Sequence, residues 1–158
     1  QIVYENLING FPAHEMRYIA ELSRADCMLA LAGNDSDGLA DAVIILERLL
    51  DLPNLPLDFQ AEAAQKWAFA LIKSGSNEKA KEVLWLSVDR FIGDGEKAAA
   101  LGAAGRYWLA RSMLQLGEIF EKQDNLVEAR KVYRQVIAYN LPGRHIAISR
   151  VDQILEVE

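Results

Sequence analysis

Residues 110–143, ARSMLQLGEIFEKQDNLVEARKVYRQVIAYNLPG, decide the fold of this chain. Leu116-Gly117, Phe120, Ala129, Tyr133 and Pro142 recur in it at a set rhythm. A large–small pair is followed after two residues by an aromatic, after eight by a small residue, and after three by a second aromatic. Helices packed side by side need small residues where their backbones approach and large apolar ones where the gap widens. Gly117 is therefore expected to let a second helix come close, with Ala129 facing it and Phe120 and Tyr133 filling the space beside the contact. Gln123-Asp124-Asn125 supplies the turn, and the second helix runs over 127–139.

The rhythm continues upstream. Trp67-Ala68, Leu71, Ala80 and Leu84 repeat the spacings, with Gly75-Ser76-Asn77 at the turn. This predicts a hairpin over 59–74 and 78–92, with Asp58 as N-cap and Pro53 and Pro56 ending the helix before it. Ala42, Leu46, Leu49 and Pro53 fit a second helix whose partner carries Leu22, Ala25, Met28 and Leu29. The loop between them, at 33–38, is longer than the other turns. Tyr4, Leu7 and Pro12 have the spacing of a hairpin's last helix, without a first. Between Ile92 and Leu116, Gly93-Asp94-Gly95 ends one helix and an Ala-rich stretch leads into a long one, starting near Ala103. Gly102 and Gly105 kink it or admit a close neighbour. Beyond Pro142-Gly143, the residues Ile146, Ile148, Val151, Ile154 and Leu155 are expected to line one side of a final helix.

These spacings resemble the tetratricopeptide repeat, whose hallmark is W-x2-L-G-x2-Y, then A-x3-F, then a late proline. The match is close over 110–143 and 61–94 and looser elsewhere. The resemblance implies an all-α, right-handed α-solenoid of about three hairpins, preceded by an orphan helix and closed by a capping helix. Residues 1–158 then form a single repeat domain. The start at Gln1, inside a repeat and without an initiator methionine, gives the expectation of a fragment of a larger, bacterial protein. Its compartment, cytoplasm or bacterial periplasm, is not set by the sequence.

The resemblance further implies a concave groove lined by residues two, five, nine and twelve of each repeat. In the 61–94 repeat these are Glu62, Gln65, Phe69 and Ile72, with Lys73 beside them. In the 110–143 repeat they are Arg111, Leu114, Glu118 and Glu121, with Lys122 alongside. Tyr107 and Trp108 precede this set. Neighbours on a helix diverge by about 100°, so one of the two is a candidate for an exposed contact residue, the alternative being that it packs against the connection before it. The family's clamp for the C-terminal carboxylate of chaperones needs paired Lys and Asn or Arg positions that Gln65 and Arg111 do not reproduce. Trp67 is expected in the core, and Trp85 on the outer side against the Ala-rich segment.

Composition narrows the function classes. A net charge of −6, with 17 basic residues scattered among 23 acidic ones, argues against a nucleic-acid groove or an anionic membrane surface. Cys27 is the single cysteine, so no internal disulfide forms, and it reads as a small hydrophobe in a helix. His14 and His145 stand far apart, without His or Cys at helical spacing, and make no metal site. Glu118, Glu121 and Lys122 read as solvated helix charges. Gly102-Ala103-Ala104-Gly105 lacks the Lys-Ser/Thr of a phosphate loop. The expectation is a non-enzymatic scaffold, without catalytic residues, cofactor or metal, that binds a protein or peptide in its groove. The alternative is an assembly subunit of an oligomeric or cell-envelope complex.

Overall fold

A computed structural model describes residues 2–10, 16–33 and 36–157. Among them are nine helices and no strand: α1 (Ile2–Gly10), α2 (Met16–Ala32), α3 (Ser36–Leu50), α4 (Leu57–Lys73), α5 (Asn77–Ile92), α6 (Gly95–Ala100), α7 (Ala103–Lys122), α8 (Leu126–Ala138) and α9 (Arg144–Val157). Pro12 and His14 lie outside the described residues, as do Asn34 and Asp35 of the upstream loop. No helix among the described residues is long and apolar enough to cross a membrane.

The turns repeat one hydrogen-bond pattern. At the end of α4, the Ser76 amide donates to Leu71 O (2.8 Å) and the Gly75 amide to Ile72 O (3.0 Å). At the end of α7, Asn125 bonds Phe120 O (2.9 Å) and Asp124 bonds Glu121 O (3.0 Å). At the end of α8, Leu141 and Asn140 bond Val136 O and Ile137 O, both at 3.1 Å. Each motif needs one residue in the left-handed region, and Gly75 (φ 81°), Asp124 (57°) and Asn140 (48°) supply it. The helix is thereby stopped and the chain turned back on itself.

α4 and α5 run antiparallel, since Arg90 near the end of α5 donates to Gln60 near the start of α4 (3.0 Å). α7 and α8 do the same: the Arg106 guanidinium reaches Tyr139 O (2.9 Å) and Asn140 O (3.1 Å). The first helices of these hairpins lie side by side and point the same way. Tyr18 of α2 meets Phe59 of α4 (5.8 Å between ring centroids), and Asp26 meets Lys66 further along (2.7 Å). On the other side of α4, Asp58 meets Gly102 and Lys66 meets Trp108.

One apolar core joins α4, α5, α7, α8 and α9 through Phe91, Leu84, Leu109, Met113, Leu116, Tyr133 and Val151. A second, built from Leu22, Ile45, Leu46, Leu49 and Leu55, lies between α2, α3 and α4. Trp67 packs against both, in keeping with its expected core position. Ala68, Ala80 and Ala129 are wholly buried.

Several local expectations are revised. The residue that crowds Gly117 is Tyr133: a methyl group at 117 would overlap its ring. Asp58 does not cap its own helix, which starts behind Pro56. Its carboxylate accepts the Gly102 amide (2.9 Å) at the start of α7, and Gly102 and Gly105 are the room this carboxylate occupies. The Ala-rich stretch is a separate short helix, α6, capped by Asp94 through the amides of Glu96 and Lys97 (3.1 and 3.3 Å). Trp85 stacks edge-on to Phe120 (6.3 Å) rather than on that stretch. In α9 the buried residues are Ala147, Val151 and Ile154, while Ile148 and Leu155 face outward. Glu121 is not simply solvated, for it accepts the Tyr133 hydroxyl (2.5 Å).

Candidate functional site

The parallel placement of α4 and α7 brings their polar residues onto a shared face. At its base Lys66 is buried, although nothing around it in sequence marks it as a core residue. Its ammonium pairs with Asp26 of α2 (2.7 Å) and with Glu62 one turn back on α4 (2.5 Å). It also lies 5.2 Å from the centre of the Trp108 ring. One cation thus links three neighbouring helices.

Above it, Tyr107 and Trp108 part as their neighbouring positions require. Trp108 packs against the core, and Tyr107 is exposed. Both rings attend Arg111. Its guanidinium lies 5.9 Å from the Tyr107 ring and 5.8 Å from the Trp108 ring, and donates to the Tyr107 hydroxyl at 3.1 Å. A guanidinium held by two aromatic faces keeps its charge while losing little freedom on binding. Deeper down, Gln65 Nε2 donates to Gln115 Oε1 (3.3 Å), joining α4 to α7 by an amide pair.

Leu114 and Glu118 continue the same face of α7. The opposite wall comes from the α8–α9 turn, where Pro142, Gly143 and Ile146 close in. Gly143 has φ +80°, and a methyl group there would stand 2.9 Å from Leu114 Cδ1, so the turn sits tightly on Leu114. The result is a cleft of about 380 Å³, lined by Gln65, Tyr107, Arg111, Leu114, Glu118 and Ile146 among others. That size lies at the lower end of ligand clefts, roughly 300–1,000 Å³.

Five residues expected in a groove therefore share one cleft: Gln65, Tyr107, Arg111, Leu114 and Glu118. The other six, Glu62, Phe69, Ile72, Lys73, Glu121 and Lys122, do not line it. Glu62 is committed to Lys66, and Ile72 packs against the main core. Phe69 is exposed, with the Lys73 ammonium 5.6 Å from its ring. Sequence reasoning missed Gln115, Pro142, Gly143, Ile146 and the Lys66 pin. The chain-reversing Pro142-Gly143 pair was the one available signal for the far wall.

A second depression, of about 320 Å³, lies between the end of α3 and helices α4 and α5, bordered by Trp67, Lys79, Leu86 and Arg90. Among the described residues, no group of three or more His, Cys, Asp or Glu side chains is placed to share a metal ion. Comparison with protein-family models, with curated proteins and with solved structures found no match.

Proposed function

We propose that this chain is a tetratricopeptide-like, right-handed α-solenoid, and that it acts as a non-enzymatic scaffold. The repeat reading draws support from the recurring helix-ending turn and from the common direction of α2, α4 and α7. The scaffold reading rests on one observation above all. Arg111 is held ready by Tyr107 and Trp108 beside the half-buried Leu114, in a cleft open to solvent. Aromatic, arginine and aliphatic side chains so arranged are the usual anchors of protein recognition. The partner is a peptide segment or protein surface that places an apolar side chain against Leu114 and Ile146.

A second reading, an assembly subunit, is favoured by α5. There the adjacent Trp85 and Leu86 are 46% and 60% exposed. A photo-crosslinking amino acid placed at Tyr107 or at Trp85, in cells that carry the protein, separates the two. Capture of a partner from position 107, abolished by Leu114→Asp, supports the cleft. Capture from position 85 alone, insensitive to that substitution, favours assembly and overturns the cleft reading.

A further inference from the structure

The cleft carries a charge polarity that names the chemistry of its occupant, on the reading of the cleft as a docking site. Arg111 forms no ion pair with a carboxylate among the described residues; its guanidinium donates to the Tyr107 hydroxyl. Glu118 likewise pairs with no cation among them, whereas the nearby Glu62 and Glu121 are both engaged. Arg111, Leu114 and Glu118 sit at i, i+3 and i+7 of α7, one face of the helix. The two charges are thus about 10 Å apart along the axis, from a rise of roughly 1.5 Å per residue.

We propose that the cleft takes an amphipathic helix of a partner protein whose own face repeats this spacing with opposite signs. An acidic residue meets Arg111, an apolar residue three or four positions away lies against Leu114 and Ile146, and a basic residue seven positions from the acid meets Glu118. A helix laid alongside α7 has the same rise per residue, so all three contacts form in register; this is the i, i+3/i+4, i+7 reading of groove-bound helices. The Gln65–Gln115 amide pair below is satisfied internally and demands no charge from the ligand. The Lys66 cation is likewise neutralised, by Asp26 and Glu62. Selectivity then resides in the two surface charges.

The test is selection of a phage-displayed library of helix-biased peptides on the whole chain, on the charge-swapped variant Arg111→Glu/Glu118→Arg, and on Leu114→Asp. The wild-type chain is expected to select peptides with an acid and a base seven positions apart flanking an apolar residue. The swapped variant selects the reverse order. A wild-type peptide weakens about tenfold on the swapped protein, the effect of two partly exposed ion pairs, and recovers when its own charges are exchanged. Circular dichroism of the variants controls for folding. Peptides lost with Leu114→Asp but showing no charge order, or the same order on both proteins, overturn this proposal and leave the docking cleft standing. Peptides indifferent to Leu114→Asp, or none selected, overturn both.

Discussion

The Tyr133 ring fills the space that a side chain at Gly117 would need: a methyl group there would overlap its Cε1 and Cζ carbons. Tyr133 has nowhere to retreat. It is wholly buried, and its hydroxyl is bonded to Glu121 at 2.5 Å. Gly117→Ala therefore gains about 1 kcal/mol of helix propensity but incurs overpacking of about 1–3 kcal/mol. We expect net destabilisation of up to about 2 kcal/mol in urea unfolding. Gly95→Ala, with open space around it, is the control and should be neutral or slightly stabilising.

This contact shows what local pattern conveys. The large–small rhythm at Leu116-Gly117 and Ala129 announced two helices in close approach, and α4, α5, α7 and α8 begin and end within two residues of where periodicity and turn residues put them. Which residue occupies the gap is a matter of the rotation of α8 about its axis. The core packing of the whole sets that, and no spacing within one hairpin encodes it.

The Asp58 carboxylate at the start of α7 offers a second test. It accepts the Gly102 amide at 2.9 Å, and a methyl group on Gly102 would come within 2.6 Å of its Oδ2. Asp58→Ala removes a cap-like bond and should cost about 0.5–2 kcal/mol. Gly102→Ala should be destabilising by about 1–2 kcal/mol in the wild type yet close to neutral in the Asp58→Ala background. Thermal unfolding of the four proteins gives the coupling; strict additivity would show that the two residues do not meet.

Tyr133 also sets a pH dependence. Burial, and then its bond to Glu121, raise its ionisation well above the ordinary value of 10.0. The folded protein thus keeps a proton that the unfolded chain releases above about pH 10, so Tyr133's contribution is complete below that pH and is lost as pH rises further. We expect the wild type to lose stability from this group as pH rises past about 10, with a slope that climbs toward about 1.4 kcal/mol per pH unit. Tyr133→Phe should be about 1–2 kcal/mol less stable at pH 7, through the lost bond to a charged acceptor, but should show a shallower alkaline decline. Urea titrations at pH 7, 10 and 11 measure both, and parallel declines would refute the assignment.

The cleft was legible in part, for a reason of the same kind. Arg111, Leu114 and Glu118 share a helix face by simple periodicity, so their joint appearance in one cleft needed only the direction of that face. Pro142, Gly143 and Ile146 reach it through the reversal after α8. Ile146 is expected on the inner side of the last helix with Val151 and Ile154, but Ala147 is buried there instead and Ile146 lines the cleft.

Lys66 lay furthest from sequence reading, because its partner Asp26 is forty residues earlier. Its side chain is 8% exposed, against 18% for Glu62 and 52% for Asp26. That asymmetry fixes which deletions hurt. Lys66→Met leaves two carboxylates that water can reach, and replaces a buried cation by an apolar side chain against Trp108. Its cost should stay within about 1 kcal/mol. Asp26→Asn with Glu62→Gln leaves the ammonium buried without a counter-charge, and should cost about 3 kcal/mol or more. Adding Lys66→Met to that double variant should then restore stability. Urea unfolding of the three proteins decides it, for a triple variant no more stable than the double would mean that Lys66 reaches water once its partners are gone.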